Sequence, residues 1–218
     1  MNDTVAEWLG ELGKPCGSKP VPVERFEQYG DMLPPFLLQL WREYGFAGFG
    51  RGRVWLVDPV EWAPIVDIWL DGITLAMGED QWHAVTGNAF GALDLWGERT
   101  GMSLHIDPVY GWLMPSAKSA TRMATEQQRN IQVFVAVDSG REFGDLTTPD
   151  GDEMFSRALK AHGQVGPDTI YGFAPALSLG GLATVDHIDI VDALTHVELL
   201  TDVGERQILG DITMSIEC

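Results

Sequence analysis

The first apolar residues of the chain recur at the spacing of a helix. Val5, Trp8, Leu9 and Leu12 fall on one helical face, and Gly13 follows as a stop signal. The pattern predicts a short amphipathic helix at the N-terminal end.

Two further helices are marked by proline and capping residues. Pro34 and Pro35 stand where a helix begins, apolar residues follow at helical spacing, and Gly45 ends the run. Asp58 and Pro59 then supply an N-cap and a first-turn proline for a helix that reaches about Leu70. Between them, the run GFGRGRVWLV predicts a glycine-rich turn that leads into a short strand.

From about Gln81 to Met114 the period changes from helical to strand-like. The runs QWHAVT, GALDLW, MSLHID and GWLM are separated by Thr-Gly-Asn, Gly-Glu-Arg-Thr-Gly and Asp-Pro, which are typical of turns. We expect an antiparallel meander.

The C-terminal part alternates between polar and apolar runs. SAKSATRMATEQQRN predicts a linker or a solvated helix, and IQVFVAVD predicts a strand. A helix over MFSRALKAHG, with Asp150 as cap and Glu153 as its capping-box partner, precedes a strand at TIYGFAPAL. A last helix is predicted to begin at Thr184 and to run through VDHIDIVDALTHVELL.

This order of elements predicts an α+β fold. N-terminal helices pack on an antiparallel β-meander, and a smaller α+β module follows. We place the boundary at the polar run, which gives domains at residues 1–118 and 119–218.

Charge is the unusual feature of the composition. The chain has 32 Asp and Glu against 14 Lys and Arg, a net charge of −18. Because such a surface repels phosphate backbones and anionic membranes, we expect no direct binding to nucleic acid and no membrane contact. A basic protein partner is favoured, although charge of this kind also serves solubility alone.

The compartment follows from the cysteines and the N-terminus. Cys16 and Cys218 form no disulfide framework, and the first residues lack the basic and apolar regions of a signal peptide. We therefore expect a cytoplasmic protein.

Candidate catalytic groups are sparse. The histidines form no HExxH motif, and no serine lies in a GxSxG elbow. His105-Ile-Asp107 and His187-Ile-Asp189 share a tripeptide, which leaves a metal-dependent hydrolase as a minor alternative. We predict neither a metal nor a cofactor, and we predict that the chain is not an enzyme.

Acidic and aromatic residues cluster in two loop regions, a combination typical of binding surfaces for basic proteins. The predicted partner-binding residues are Trp69, Asp71, Glu79 and Asp80 in the first cluster, and Glu142, Phe143, Asp145, Asp150 and Asp152 in the second.

The segment EQYGDMLPPFLLQLWREYGFAGFGRGRVWLVDPVEW resembles the GAD-like domain, through its Leu-Pro before a helix, its Trp-x-x-Tyr-Gly-Phe and its Trp-x-x-Asp-Pro. GNAFGALDLWGERTGMSLHIDPVYGWLM and MFSRALKAHGQVGPDTIYGFAPALSLGG, with the helix after Val185, resemble the C-terminal module that accompanies this domain in Tdi-type immunity proteins.

The resemblance implies a role in type VI secretion. An immunity protein of this type is made beside a toxic DNase effector and neutralises it, which implies a cognate toxin as partner and no enzymatic activity. A nuclease presents a basic surface to DNA, so an acidic protein can cover its active cleft. A non-catalytic scaffold or regulatory protein of similar structure remains the alternative.

Overall fold

A computed structural model describes residues 3–146 and 153–210 of the chain, with side chains from residue 6 onward. The helices are α1 (Asp3–Leu12), α2 (Val23–Tyr29), α3 (Pro35–Tyr44), α4 (Pro59–Leu70), α5 (Ala117–Ala120), α6 (Glu126–Phe143), α7 (Met154–His162) and α8 (Ala193–Val203). The strands are β1 (Ser18–Lys19), β2 (Phe46–Phe49), β3 (Val54–Leu56), β4 (Trp82–Asn88), β5 (Leu93–Gly97), β6 (Gly101–Asp107), β7 (Trp112–Pro115), β8 (Thr169–Phe173), β9 (Ile188–Asp192) and β10 (Gln207–Ile208).

One eight-stranded sheet organises the fold. Strands β1 to β7 follow one another in order, each antiparallel to the next, and β10 adds to β7 as a parallel edge strand. Strands β8 and β9 form a separate antiparallel pair. The predicted α+β architecture and the antiparallel meander are confirmed.

Each face of the sheet carries its own hydrophobic core, because successive strand residues point to opposite faces. Val54 and Leu56 of β3 join the core beneath α1, α2, α3 and α6, whereas Trp55 joins the core beneath α4, α7, α8 and the β8–β9 pair. The start of α4 is linked to α2 on the other face of the sheet. Its N-cap Asp58 accepts from the Val60 N–H, as predicted, and also pairs with Arg25 of α2 at 2.8 Å.

The prediction of a strand at IQVFVAVD is wrong, because these residues lie inside α6. Thr125 and Gln128 form a capping box at the start of that helix. Val133 and Val137, one helical turn apart, are then buried in the core shared with α1 and α3. Packing against the N-terminal helices thus outweighs the strand preference of a β-branched run. The polar run before it forms α5 and the first turn of α6.

The single helix predicted from Thr184 is also wrong. A short turn at Val185–His187 leads into β9, and only the second half of the segment forms α8. Asp192 is the cap of this helix, since its side chain accepts from the Thr195 N–H at 2.9 Å.

The helix over MFSRALKAH is confirmed as α7, but its cap differs from the prediction. Glu153 occupies the N-cap position without a side-chain cap bond, and Asp145 accepts from the Phe155 N–H at 2.8 Å. The predicted cap Asp150 lies outside the described residues. None of the described helices combines the length and apolarity needed to cross a membrane.

Candidate protein-binding surface

The loop after α4, which holds the first predicted cluster, encloses a pocket of about 280 Å³. Its lining residues are Leu70, Ile73, Thr74, Leu75, Gly78, Glu79, Asp80 and Trp82. The apolar members belong to or pack against the core of α4 and α8. Glu79 is exposed, and its carboxylate is free of hydrogen bonds to any described residue. The pocket therefore offers an apolar floor with one available negative charge.

Asp80 holds the rim of this pocket in place. One carboxylate oxygen accepts from the backbone N–H of Gln81 at 2.9 Å and of Arg99 at 3.0 Å, and the other accepts from the backbone N–H of Thr100 at 2.9 Å. The Arg99 guanidinium in turn donates to the Met77 and Glu79 carbonyls at 2.7 and 2.9 Å. Since its oxygens are occupied by the protein itself, Asp80 positions the rim instead of offering a free charge.

Trp69 has an internal role in the structure. Its side chain is fully buried, and its indole N–H donates to the Val197 carbonyl of α8 at 3.3 Å. The indole is therefore inaccessible to a partner in this conformation, and it joins α4 to α8.

Arg206 connects this pocket region to the segment that follows α8. Its Nη1 donates to the carbonyls of Ile68, Trp69 and Asp71 at 2.8, 3.1 and 3.1 Å. These carbonyls lie at the C-terminal end of α4, where backbone acceptors lack helical partners. The exposed Asp71 and the pocket are thereby held beside the C-terminal end of α8.

The surface of residues 168–206 was not singled out from the sequence, yet nearly all of its charged side chains are acidic. Its acidic residues are Asp168, Asp186, Asp189, Asp192, Glu198, Asp202 and Glu205, and all of them are exposed. Arg206 is the one Lys or Arg in residues 168–206. Its guanidinium already donates to carbonyls at the end of α4. Counting charges along this segment would have revealed it.

The second predicted cluster lies at the end of α6. Phe143 is 77% exposed, the largest exposed fraction of the exposed bulky apolar residues described. Glu142 is exposed and pairs with Arg141 at 3.0 Å. The Asp145 carboxylate accepts from the backbone N–H groups of Leu146 and Phe155. Burial raises the pKa of this carboxyl. Asp150 and Asp152 lie outside the described residues. The described members of this cluster lie at and just after the C-terminal end of α6, whereas the first cluster lies in and after α4.

A polar row crosses the meander at Thr86, Asp94 and His105. Asp94 accepts from the Thr86 hydroxyl at 2.8 Å and contacts Nδ1 of His105 at 2.7 Å. Burial opposes charge on both groups, but the ion pair prevails: it lowers the pKa of Asp94 and raises that of His105.

The other His-Ile-Asp tripeptide lies at the start of β9, where His187 contacts the Thr184 hydroxyl at 2.8 Å. Among the described residues, no three His, Cys, Asp or Glu side chains are grouped to hold a metal ion.

Comparison with known families identifies the class of this protein. Residues 3–110 match the GAD-like domain, and residues 128–204 match the C-terminal domain of the T6SS immunity protein Tdi1. The C-terminal match places the chain among proteins that carry a type VI secretion immunity domain. The predicted architecture, a GAD-like domain followed by a Tdi1-type C-terminal domain, is confirmed. One part of the resemblance is corrected: residues 87–110 of the run GNAFGALDLWGERTGMSLHIDPVYGWLM lie within the GAD-like match and not in the C-terminal module.

A solved structure shares the fold. The crystal structure of Atu4351 from Agrobacterium tumefaciens superimposes with a TM-score of 0.79 at 23% identity, over 92% of this chain and 89% of that one. Among curated proteins, none matches this chain.

Proposed function

We propose that this protein neutralises a cognate DNase effector of type VI secretion by binding it stoichiometrically in the cytoplasm, without catalysis and without a cofactor. The observation that carries the proposal is the match of residues 128–204 to the Tdi1 immunity domain. Six of the seven exposed acidic residues of the 168–206 surface lie within this matched segment.

Electrostatics supports a nuclease as the target. A DNase needs a basic surface to hold the phosphate backbone, and a protein with a net charge of −18 is attracted to such a surface. Covering that surface excludes DNA from the active cleft. Charge attraction of this kind mainly accelerates association and selects the partner.

The pocket after α4 suits a basic side chain of the toxin. Its apolar floor can cover the aliphatic stem of a lysine or arginine, while the carboxylate of Glu79 faces the cationic head. Such a pocket gives the complex local specificity in addition to the long-range attraction.

The test is a DNA-cleavage assay of the toxin encoded beside this protein. Increasing amounts of the immunity protein are added at about 0.05 M and about 0.5 M salt, with toxin alone as the reference at each salt concentration. We expect cleavage to stop at one equivalent, with weaker binding at the higher salt. An unrelated protein of similar net charge is the control and should leave cleavage intact. Cleavage that persists beside an excess of folded protein would refute the proposal.

A further inference from the structure

The segment between β8 and β9 forms a folded loop that presents leucines to solvent. We call residues 176–184 the leucine loop. Its backbone closes on itself, because the N–H groups of Leu179 and Gly181 donate to the Ala176 carbonyl at 3.0 and 3.1 Å, and that of Gly180 donates to the Leu177 carbonyl at 3.0 Å. Gly180 has a φ of 85°, a conformation that glycine adopts without strain. The loop thus has a defined shape before any partner binds.

Two leucines of this loop point away from the protein. Leu179 is 63% exposed and Leu182 is 60% exposed, whereas Leu177 packs partly against the core. Leucines on a backbone-fixed loop lose little conformational freedom when a partner covers them, so their burial contributes more fully to affinity.

The leucine loop lies beside the C-terminal end of α8. The Ser178 side chain is only 3.0 Å from where a Cβ on Gly204 would be, so the loop and the end of the helix are in close contact. On the outer face of α8, Leu199 is also exposed. Exposed apolar side chains are therefore found both on the loop and on the helix that it approaches.

Unpaired carboxylates follow these leucines along the chain, in the turn after the loop, on β9 and on α8. The side chains that form no hydrogen bond or ion pair with any described residue include Asp186, Asp189, Glu198 and Asp202. A second copy of this chain would bring like charges together here, which disfavours self-association. The face at the end of α6 is less suited to a basic partner, because Arg141 neutralises Glu142 beside Phe143.

We propose that the leucine loop is the apolar anchor of the toxin-binding surface. Leu179 and Leu182 enter an apolar depression on the toxin, and the surrounding carboxylates pair with its lysines and arginines. This arrangement, an apolar centre with a charged rim, is that of energetically important sites in protein complexes. The inference rests on the proposed function and names the face that performs it.

The first test replaces both leucines with serine in the full chain, as Leu179→Ser/Leu182→Ser. Because the two side chains are exposed, the melting temperature should stay that of the wild type. We expect the Kd for the toxin, measured by calorimetry, to rise about 30-fold, the change that follows from losing about 2 kcal/mol at a central contact. Val23→Ser, at an exposed valine of α2 on the opposite side of the sheet, is the matched control and should leave the Kd unchanged.

The second test removes four negative charges from the proposed rim. The variant Asp186→Asn/Asp189→Asn/Glu198→Gln/Asp202→Asn is compared with Glu7→Gln/Glu11→Gln/Glu24→Gln/Glu27→Gln, which changes the net charge equally on the exposed surface of α1 and α2. We expect the first variant to associate more slowly and with a weaker salt dependence than the second.

The outcomes separate this inference from the proposed function. A wild-type protein that fails to bind the toxin overturns both. If the wild type inhibits and the leucine and rim variants bind as tightly as their controls, the function stands and the leucine loop is not the anchor. If the leucine substitutions instead convert a dimer of this chain to monomer without affecting toxin binding, the loop is a self-association surface and the inference fails.

Discussion

Arg206 should contribute measurable stability through the C-terminal end of α4. The substitution Arg206→Ala removes a guanidinium that donates to three carbonyls, those of Ile68, Trp69 and Asp71. All three carbonyls share the single Nη1 group, so they are counted together as one hydrogen bond from a charged donor. Such a bond is worth about 1.5–3 kcal/mol, and the partial exposure of these carbonyls favours the low end. The favourable position of a cation at a helix C-terminus adds about 0.5 kcal/mol. We therefore expect a loss of about 2 kcal/mol.

Thermal unfolding followed by circular dichroism measures this loss. For a chain of this size, about 2 kcal/mol corresponds to a fall in Tm of about 4–8 °C. Arg206→Lys keeps the charge but not the fork of donors, so its Tm should lie between those of Arg206→Ala and the wild type. Lys14→Ala is the control, because it removes one positive charge at an exposed position without a described partner.

Hydrogen exchange gives a second, local reading of the same substitution. If Arg206 holds the pocket loop, exchange in residues 71–81 should accelerate more than exchange in the central strands. A Tm for Arg206→Ala equal to that of Lys14→Ala, with unchanged exchange in this loop, would show that the three contacts contribute nothing and that the reasoning is wrong.

Three further substitutions test the core, the polar row and a close helix–strand contact. Trp69→Phe should cost about 2 kcal/mol in urea denaturation, because it loses an indole hydrogen bond and buried volume, while the folded variant still inhibits the toxin. Because the pKa of His105 is raised in the folded protein, its stabilising charge is fully present below about pH 6.5 and is lost as the pH rises through its folded pKa. The difference in unfolding free energy between the wild type and His105→Gln should therefore shrink across that range. A constant difference from about pH 5 to about pH 9 would contradict the ion pair with Asp94. Gly140→Ala places a Cβ 2.8 Å from Cγ2 of Val54. We expect this clash to exceed the helix-propensity gain of about 1 kcal/mol and to leave a net loss of stability of about 1 kcal/mol. In a double-mutant cycle, Val54→Ala should remove the clash and with it this loss.

Local signals predicted the elements whose ends are chemically marked. Pro35 and Gly45 bound α3, Asp58 caps α4, and turn residues separate the strands of the meander. One wrong element arose where local preference and tertiary packing disagree, and another where a local cap was overlooked. The β-branched run in α6 is helical because Val133 and Val137 complete a core whose other members are far away in sequence. In the segment before α8, the cap at Asp192 was a readable signal that the helix begins later.

The candidate surface was less predictable than the fold. Composition identified acidic clusters, but it could not distinguish the buried Trp69 from an exposed anchor, or the occupied carboxylate of Asp80 from the available one of Glu79. Those distinctions depend on which backbone donors the fold brings within reach. The exposure of Leu179 and Leu182 likewise depends on a loop closed by its own hydrogen bonds.

The order of the elements along the chain also sets how late in synthesis the fold can close. Most of its strands leave the ribosome early, but Val133 and Val137 complete one core, the β8–β9 pair and α8 complete the other, and Arg206 closes the end of α4. The nascent chain therefore carries unfinished apolar faces until residues beyond 200 have emerged. Under the proposed function, a newly made chain can bind its toxin only after this late closure.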